Sequence, residues 1–230
     1  MKRAWWLYAL GAIAAFLSFP FPPPDPFTLV IVEILIALMV YAGLWFWDCL
    51  PERSEGPPAQ EHGSPGRRGS LAALGMTTPK RALYSLLIGA ASGAVVLALL
   101  PLAGLQSRII KEASIPLWKW LIIAFDSSVL EEIIFRLFVV SFVAWLFNRF
   151  IRREPSIWIA LAASALTFGA AHLGRWLDAG PIVITAVMIV NGLIAIVLGL
   201  IYVKWGIEAA ILGHFAGDVV VHIIGPHFFI

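Results

Sequence analysis

The sequence predicts an all-α fold, a polytopic bundle of about seven transmembrane helices, and three observations carry the prediction. Hydrophobic residues make up 60% of the 230 and charged residues 13%, with a mean hydropathy of +0.90, a balance that leaves too little polar surface to cover a soluble domain. Apolar runs of about 18 residues or more, the length that crosses a bilayer, recur from end to end. Lysine and arginine gather on alternate connections, as the positive-inside rule requires.

The first run, residues 5–19, follows Met1-Lys2-Arg3 and ends at the proline-rich turn PFPPPDP. Its two tryptophans suit an interfacial belt and no small-residue cleavage site follows, so it reads as a retained span rather than a signal peptide. Residues 27–47 form the second span. Over 48–81 the pattern gives way to proline, glycine, serine and charge, which predicts a flexible loop in which His62 is solvated. Further spans are expected at 82–105, 116–147, 156–174, 181–203 and 207–224. The fourth is long: about 32 residues make roughly 48 Å of helix against a hydrocarbon core of about 30 Å, so it must tilt, break or project. No internal repeat is visible. The chain divides into N-terminal helices with their loop (1–105) and a second membrane unit (106–230).

An N-terminus in the cytoplasm puts Lys2, Arg3, Arg53, Arg67, Arg68, Lys80, Arg81, Arg149, Arg152, Arg153 and Lys204 inside. Arg108, Lys111, Lys119 and Arg175 fall outside, a bias of eleven to four that favours this orientation and a C-terminus outside. The net charge of +2 therefore speaks of topology, and no basic aromatic groove points to nucleic acid. One cysteine, Cys49, excludes an internal disulfide and reads as a packing residue near a helix end.

Three stretches place ionisable groups inside apolar spans. In SSVLEEIIFRLF (127–138), Glu132 and Arg136 are i, i+4 neighbours that can pair, which lowers the cost of burying both. Glu131 points about 100° away and is left free, and an unpaired intramembrane carboxylate is a functional candidate by default. In TFGAAH (167–172), His172 rides on a helix of small residues that lets a neighbour approach. In GHFAGD (213–218), His214 and Asp218 are again i, i+4, and His222 continues their face to the end of the span, where solvent contact is expected. Such a polar stripe implies a wet or protein-lined cavity.

Taken in order, EExxxR (131–136), FxxxH (Phe168 to His172) and HxxxD (His214 to Asp218) resemble the signature of the CAAX-protease and bacteriocin-processing intramembrane proteases, the CPBP or Abi family. Each motif is short, but all three lie on separate apolar spans, and the resemblance covers roughly 115–224. It implies hydrolysis of peptide bonds of membrane-associated or lipidated peptides, within the lipid bilayer of a prokaryotic inner or plasma membrane. In that resemblance Glu131 is the base that activates water and His172 orients the water or shares its proton. His214 and Asp218, or the backbone near them, hold the developing oxyanion or its histidine in place, with Asp218, a carboxylate, suited to orienting His214, while Glu132, Arg136 and Phe168 support the site. The family has been described both as metalloproteases and as glutamate-dependent enzymes. Zinc held by Glu131, His172 and His214 is therefore one alternative, and a site without a cofactor is the other. No HExxH, GxSG or GxGD is present. The reading from a different class is a non-catalytic scaffold or a proton-coupled carrier built on the same buried groups. Neither the substrate nor the oligomeric state is legible.

Overall fold

The structure is a computed structural model of the chain, and it describes residues 5–18, 26–50 and 77–228. Most of the expected loop, residues 51–76, lies outside the described residues, His62 included. The described residues form helices and no strand. Helices α1 (Trp5–Ser18) and α2 (Pro26–Asp48) are followed by α3 (Pro79–Leu99), which tightens into a 3-10 turn, Leu100–Ala103. A short α4 (Gln106–Glu112) precedes α5, which runs unbroken through residues 117–147. Then come α6 (Arg153–Ala171), α7 (Pro181–Trp205) and α8, residues 207–228.

Among the described residues five helical stretches are long and apolar enough to cross a membrane: Thr28–Asp48, Pro79–Leu102, Arg153–Gly174, Pro181–Trp205 and Ile207–Phe228. α1, at 14 residues, is shorter. α5 has the length but carries Lys119, Asp126, Glu131, Glu132 and Arg136. It does not break. It winds into a π-helix over Glu132–Val140 between α-helical halves Leu117–Glu131 and Ser141–Phe147. α8 does the same over Val219–Ile224. π-helical turns are rare and cluster at functional sites. Each of these begins at the residue after a candidate acid, Glu131 and Asp218.

Local chemistry sets the ends. Thr78 caps α3, its hydroxyl accepting from Arg81 N at 3.4 Å, and Pro79 takes the first helical position, where a missing N–H costs nothing. The backbone N–H of Thr77 donates to Glu208 Oε2 at 2.6 Å, which ties the start of α3 to the start of α8. Between α7 and α8 only Gly206 intervenes, at φ 94°, a conformation open to glycine, so the two helices reverse direction in one residue.

Small residues bring α3 and α8 into backbone contact. A Cβ on Gly89 would overlap the Gly213 carbonyl, and one on Gly93 would come within 2.7 Å of the Gly217 carbonyl oxygen. Where lipid is as apolar as the side chains, such close approach replaces the hydrophobic effect as the force between helices. Because His214 and Asp218 flank those contacts on α8, the glycines of α3 fix how deep the two polar groups sit. Gly89→Ala is expected to lower stability by roughly 1–3 kcal/mol through overpacking. Gly174→Ala, where an added Cβ meets nothing within 4 Å, should fall within about 0.5 kcal/mol of the parent. Thermal unfolding of the two variants in detergent measures the difference; equal midpoints would contradict the packing argument.

Candidate active site

The site is built on one carboxylate. Glu132 and Arg136 are both fully buried, and Arg136 Nη1 lies 3.1 Å from Glu132 Oε1. The contact lacks hydrogen-bond alignment, so the attraction is that of two charges, and Phe168 covers the guanidinium with its ring at 4.5 Å. The same Glu132 oxygen accepts from His214 Nδ1 at 2.9 Å, which joins α5 to α8. Sequence reasoning gave the orienting of His214 to Asp218. The structure gives it to Glu132, because helix packing brings that carboxylate to Nδ1 while Asp218 stands on the Nε2 side.

Glu131 sits one residue earlier and faces the other way. Its Oε2 is buried without a hydrogen-bond partner, 3.8 Å from His172 Nε2 and 3.7 Å from His214 Nε2. The first of these falls inside the window of about 3 to 6 Å that direct or water-bridged contact requires. His172 caps the end of α6, with Nδ1 2.8 Å from the Phe168 carbonyl oxygen. A carbonyl can only accept, so Nδ1 carries the hydrogen, and Nε2 of the neutral ring presents a lone pair toward Glu131. By the same reasoning His214 donates through Nδ1 and turns Nε2 inward. Asp218 Oδ1 lies 3.7 Å from that Nε2, and its Oδ2 accepts from the Ser127 hydroxyl at 2.6 Å.

These groups meet at a cavity of about 1040 Å³. Glu131, His172, His214, Asp218 and Ser127 line it, whereas Glu132 and Arg136 stand behind. Phe168 holds three of the parts in register: besides Arg136, its ring centroid lies 4.5 Å from that of His172 and 6.0 Å from that of His214. The Ser164 hydroxyl donates to the Phe135 carbonyl at 3.1 Å, fastening α6 to the π-helical turn.

Two imidazoles and a carboxylate are zinc donors by type, and both rings are held at Nδ1 by oxygens as zinc ligands commonly are. Their placement is another matter. Among the described residues no group of three or more His, Cys, Asp or Glu side chains is arranged to hold a metal ion.

Sequence reasoning missed Ser127, although it lies one helical turn before Glu131 on the same face, a spacing that could have drawn attention to it. It expected solvent contact for His222, which is partly exposed, but not its partners: His222 bonds through Nδ1 to Glu112 Oε2 at 2.8 Å and stacks on Trp120, with ring centroids 4.8 Å apart. Glu112 is 110 residues away, so nothing local could announce it.

Comparison with known proteins finds a likeness over part of the chain. Residues 113–220 match the family model described as type II CAAX prenyl endopeptidase Rce1-like. This stretch is Rce1-like. It contains all three motifs, from Glu131-Glu132 to Asp218, and the match agrees with the CAAX-protease resemblance read from them. A CAAX-type intramembrane endopeptidase is the general activity it implies. The Rce1-like stretch ends before His222 and begins after Glu112 and the whole of α3, so a wall of the cavity is contributed from outside it. Neither a curated protein nor a solved structure matches the chain.

Because Glu132 serves Arg136 and His214 at once, Glu132→Gln should destabilise the protein by roughly 3–5 kcal/mol, the cost of leaving a buried cation without its counter-charge. Chemical unfolding in mixed micelles measures it. A variant as stable as the parent would mean that Arg136 has another counter-charge.

Proposed function

We propose that the protein is an intramembrane endopeptidase in which Glu131 activates the water that cleaves a peptide bond of a membrane-associated or lipidated peptide. The observation that carries the reading is the environment of Glu131 Oε2: buried, without a hydrogen-bond partner, and 3.7 and 3.8 Å from two imidazole Nε2 atoms. Those separations are too long for direct hydrogen bonds, yet short enough for a water to bridge Glu131 to an imidazole.

Such a water donates one hydrogen to Glu131 and the other to the lone pair of His172. Its oxygen is thereby aimed at a carbonyl carbon lying across the cavity. As the C–O bond forms, the proton passes to Glu131, and the carbonyl oxygen takes up negative charge on the side of His214. His214 Nε2 stabilises that charge when the ring carries a second proton. Asp218, held through Oδ2 by Ser127, keeps Oδ1 toward that nitrogen and supports the protonated ring. When the C–N bond breaks, the proton on Glu131 goes to the departing amine, the oxyanion closes to a carbonyl, and a carboxylic acid and an amine leave. Glu132 and Arg136 touch none of the reacting atoms; they hold His214 in place.

No step is routed through a metal. The zinc reading and this one differ in a single measurement. Purified protein acting on a quenched-fluorescent lipidated peptide should keep its rate in excess chelator. A rate lost to chelator and restored by zinc would make the enzyme a metalloprotease with Glu131, His172 and His214 as ligands.

Glu131→Gln removes the base and little packing. It should lower turnover by about 10²-fold or more and leave the unfolding midpoint near the parent's. A stable and fully active Glu131→Gln protein would end the reading and favour a scaffold or carrier built on the same groups.

A further inference from the structure

Of the five membrane-length helices α7 is the most apolar, and one amide interrupts it. Between Thr185 and Tyr202, Asn191 is the only residue whose side chain carries nitrogen or oxygen. A polar group that far from either end of a span is unfavourable unless it finds partners or a use. One partner is local: Nδ2 donates to the Val187 carbonyl, one turn earlier, at 2.9 Å. An asparagine amide has two N–H groups and an oxygen with two lone pairs, so one N–H and the whole of Oδ1 remain. Among the described residues neither of these meets a partner.

Asn191 lines the active-site cavity, on one stripe of α7 with Val187, Val190, Ile194 and Leu198. Its depth is fixed from two sides. A Cβ added to Gly169 would lie 2.9 Å from the Met188 carbonyl oxygen, and one on Gly192 would lie 3.6 Å from that of Ala165. Because α6 and α7 run antiparallel, Asn191 stands at the height of Phe168, whose ring touches both His172 and His214. On the other side, the Ser141 and Tyr202 hydroxyls lie 2.9 Å apart and join α5 to α7, which run in the same direction. Ten residues before these two stand Glu131 and Gly192, so Asn191 and Glu131 share a height to within about one helical turn.

A peptide that enters this cavity leaves water, and each of its N–H and C=O groups loses hydrogen bonds that an apolar wall cannot replace. Glu131, His172 and His214 are occupied with the bond to be cut. Ser92, another polar group of the lining, already gives its hydroxyl hydrogen to the Ile88 carbonyl at 2.9 Å. Asn191 presents a donor and an acceptor side by side. In an extended chain the N–H and C=O of one residue point to the same side, which is the complementary arrangement. We propose that Asn191 is a specificity-determining residue that bonds the substrate main chain beside the scissile bond, with Oδ1 accepting from the N–H of one residue and the remaining N–H donating to that residue's carbonyl. The proposal rests on the hydrolase reading and adds a requirement to it: the residue so held is extended and has an N–H, which excludes proline there.

The substrate main chain is the readout. A series of quenched-fluorescent lipidated peptides carries an ester in place of one peptide bond at a time, with the scissile bond always an amide, so each member lacks one backbone N–H. With the unaltered protein, one ester next to the scissile bond should raise KM about three- to tenfold, the worth of one hydrogen bond. The turnover number should change little, because the bond is made in the ground state and the transition state alike. Asn191→Leu keeps the volume and removes the amide. It should raise KM about tenfold on the all-amide peptide and erase the penalty of that ester, whereas a residue needed only for packing would leave the ester-to-amide ratio where it was. A flat ester series on the unaltered protein overturns the proposal whether or not Asn191→Leu folds. An ester penalty that survives in folded Asn191→Leu overturns it too.

Binding separates this proposal from the reading beneath it. If the unaltered protein cleaves none of the peptides, the hydrolase reading falls, and fluorescence anisotropy of the same peptides still decides the role of Asn191. The amide peptide should bind about three- to tenfold more tightly than the sensitive ester, with no difference in Asn191→Leu. Equal binding of the two by the unaltered protein, or no binding, would overturn the proposal.

Discussion

A charge inside a membrane must meet its counter-charge within the protein, and the structure turns on how one buried carboxylate meets that demand. Glu132 neutralises Arg136 and, with the same oxygen, accepts from His214 on another helix. An ion pair of this kind adds little net stability over apolar residues of equal volume, but removing one partner is costly. Its use here is geometric. The pair cannot relax toward lipid, so the imidazole bound to it cannot either, and Nε2 of His214 is held toward the cavity.

Two further constraints convert that fixed point into a site. Gly89 and Gly93 let α8 lie against α3 backbone to backbone, which sets the height of His214 and Asp218. The π-helical turns in α5 and α8 begin directly after Glu131 and Asp218, so the side chains that follow are turned relative to those that precede. Adjacent helical residues point about 100° apart, so Glu131 can face the cavity while its neighbour Glu132 faces the bundle. Two adjacent glutamates acquire two environments: one carboxylate buried against Arg136 and bonded through Oε1 to His214, the other lining the cavity beside two imidazoles.

Much of this was legible in the sequence, for physical reasons that also mark where legibility ends. Span length and composition follow from the bilayer, so the all-helical fold and most span positions could be read from apolar runs. Ionisable residues are so unfavourable in lipid that Glu131, Glu132, Arg136, His172, His214 and Asp218 stood out singly, and helical spacing paired Glu132 with Arg136. Spacing within one helix says nothing of register between helices. Hence Asp218, four residues from His214, was expected to orient it, when Glu132, 82 residues away, does so. Ser127 and the Glu112–His222 pair escaped for the same reason. The long fourth span was expected to tilt or break; a π-helical turn, which has no residue signature, was invisible. The G-x-x-x-G spacing of Gly89 and Gly93 was readable and marks the α3–α8 contact.

The central claim is that Glu132 acts on catalysis through His214 and on stability through Arg136, and that these are separable. A double replacement, Glu132→Leu with Arg136→Met, removes both buried charges together and should cost no more than about 1–3 kcal/mol, the penalty of the His214 donor left unsatisfied, which is less than Glu132→Gln alone. It deprives His214 Nδ1 of its acceptor, so turnover on a lipidated peptide should fall by about 10²-fold or more with KM little changed. A double variant that is stable and turns over at the parent's rate would contradict the account.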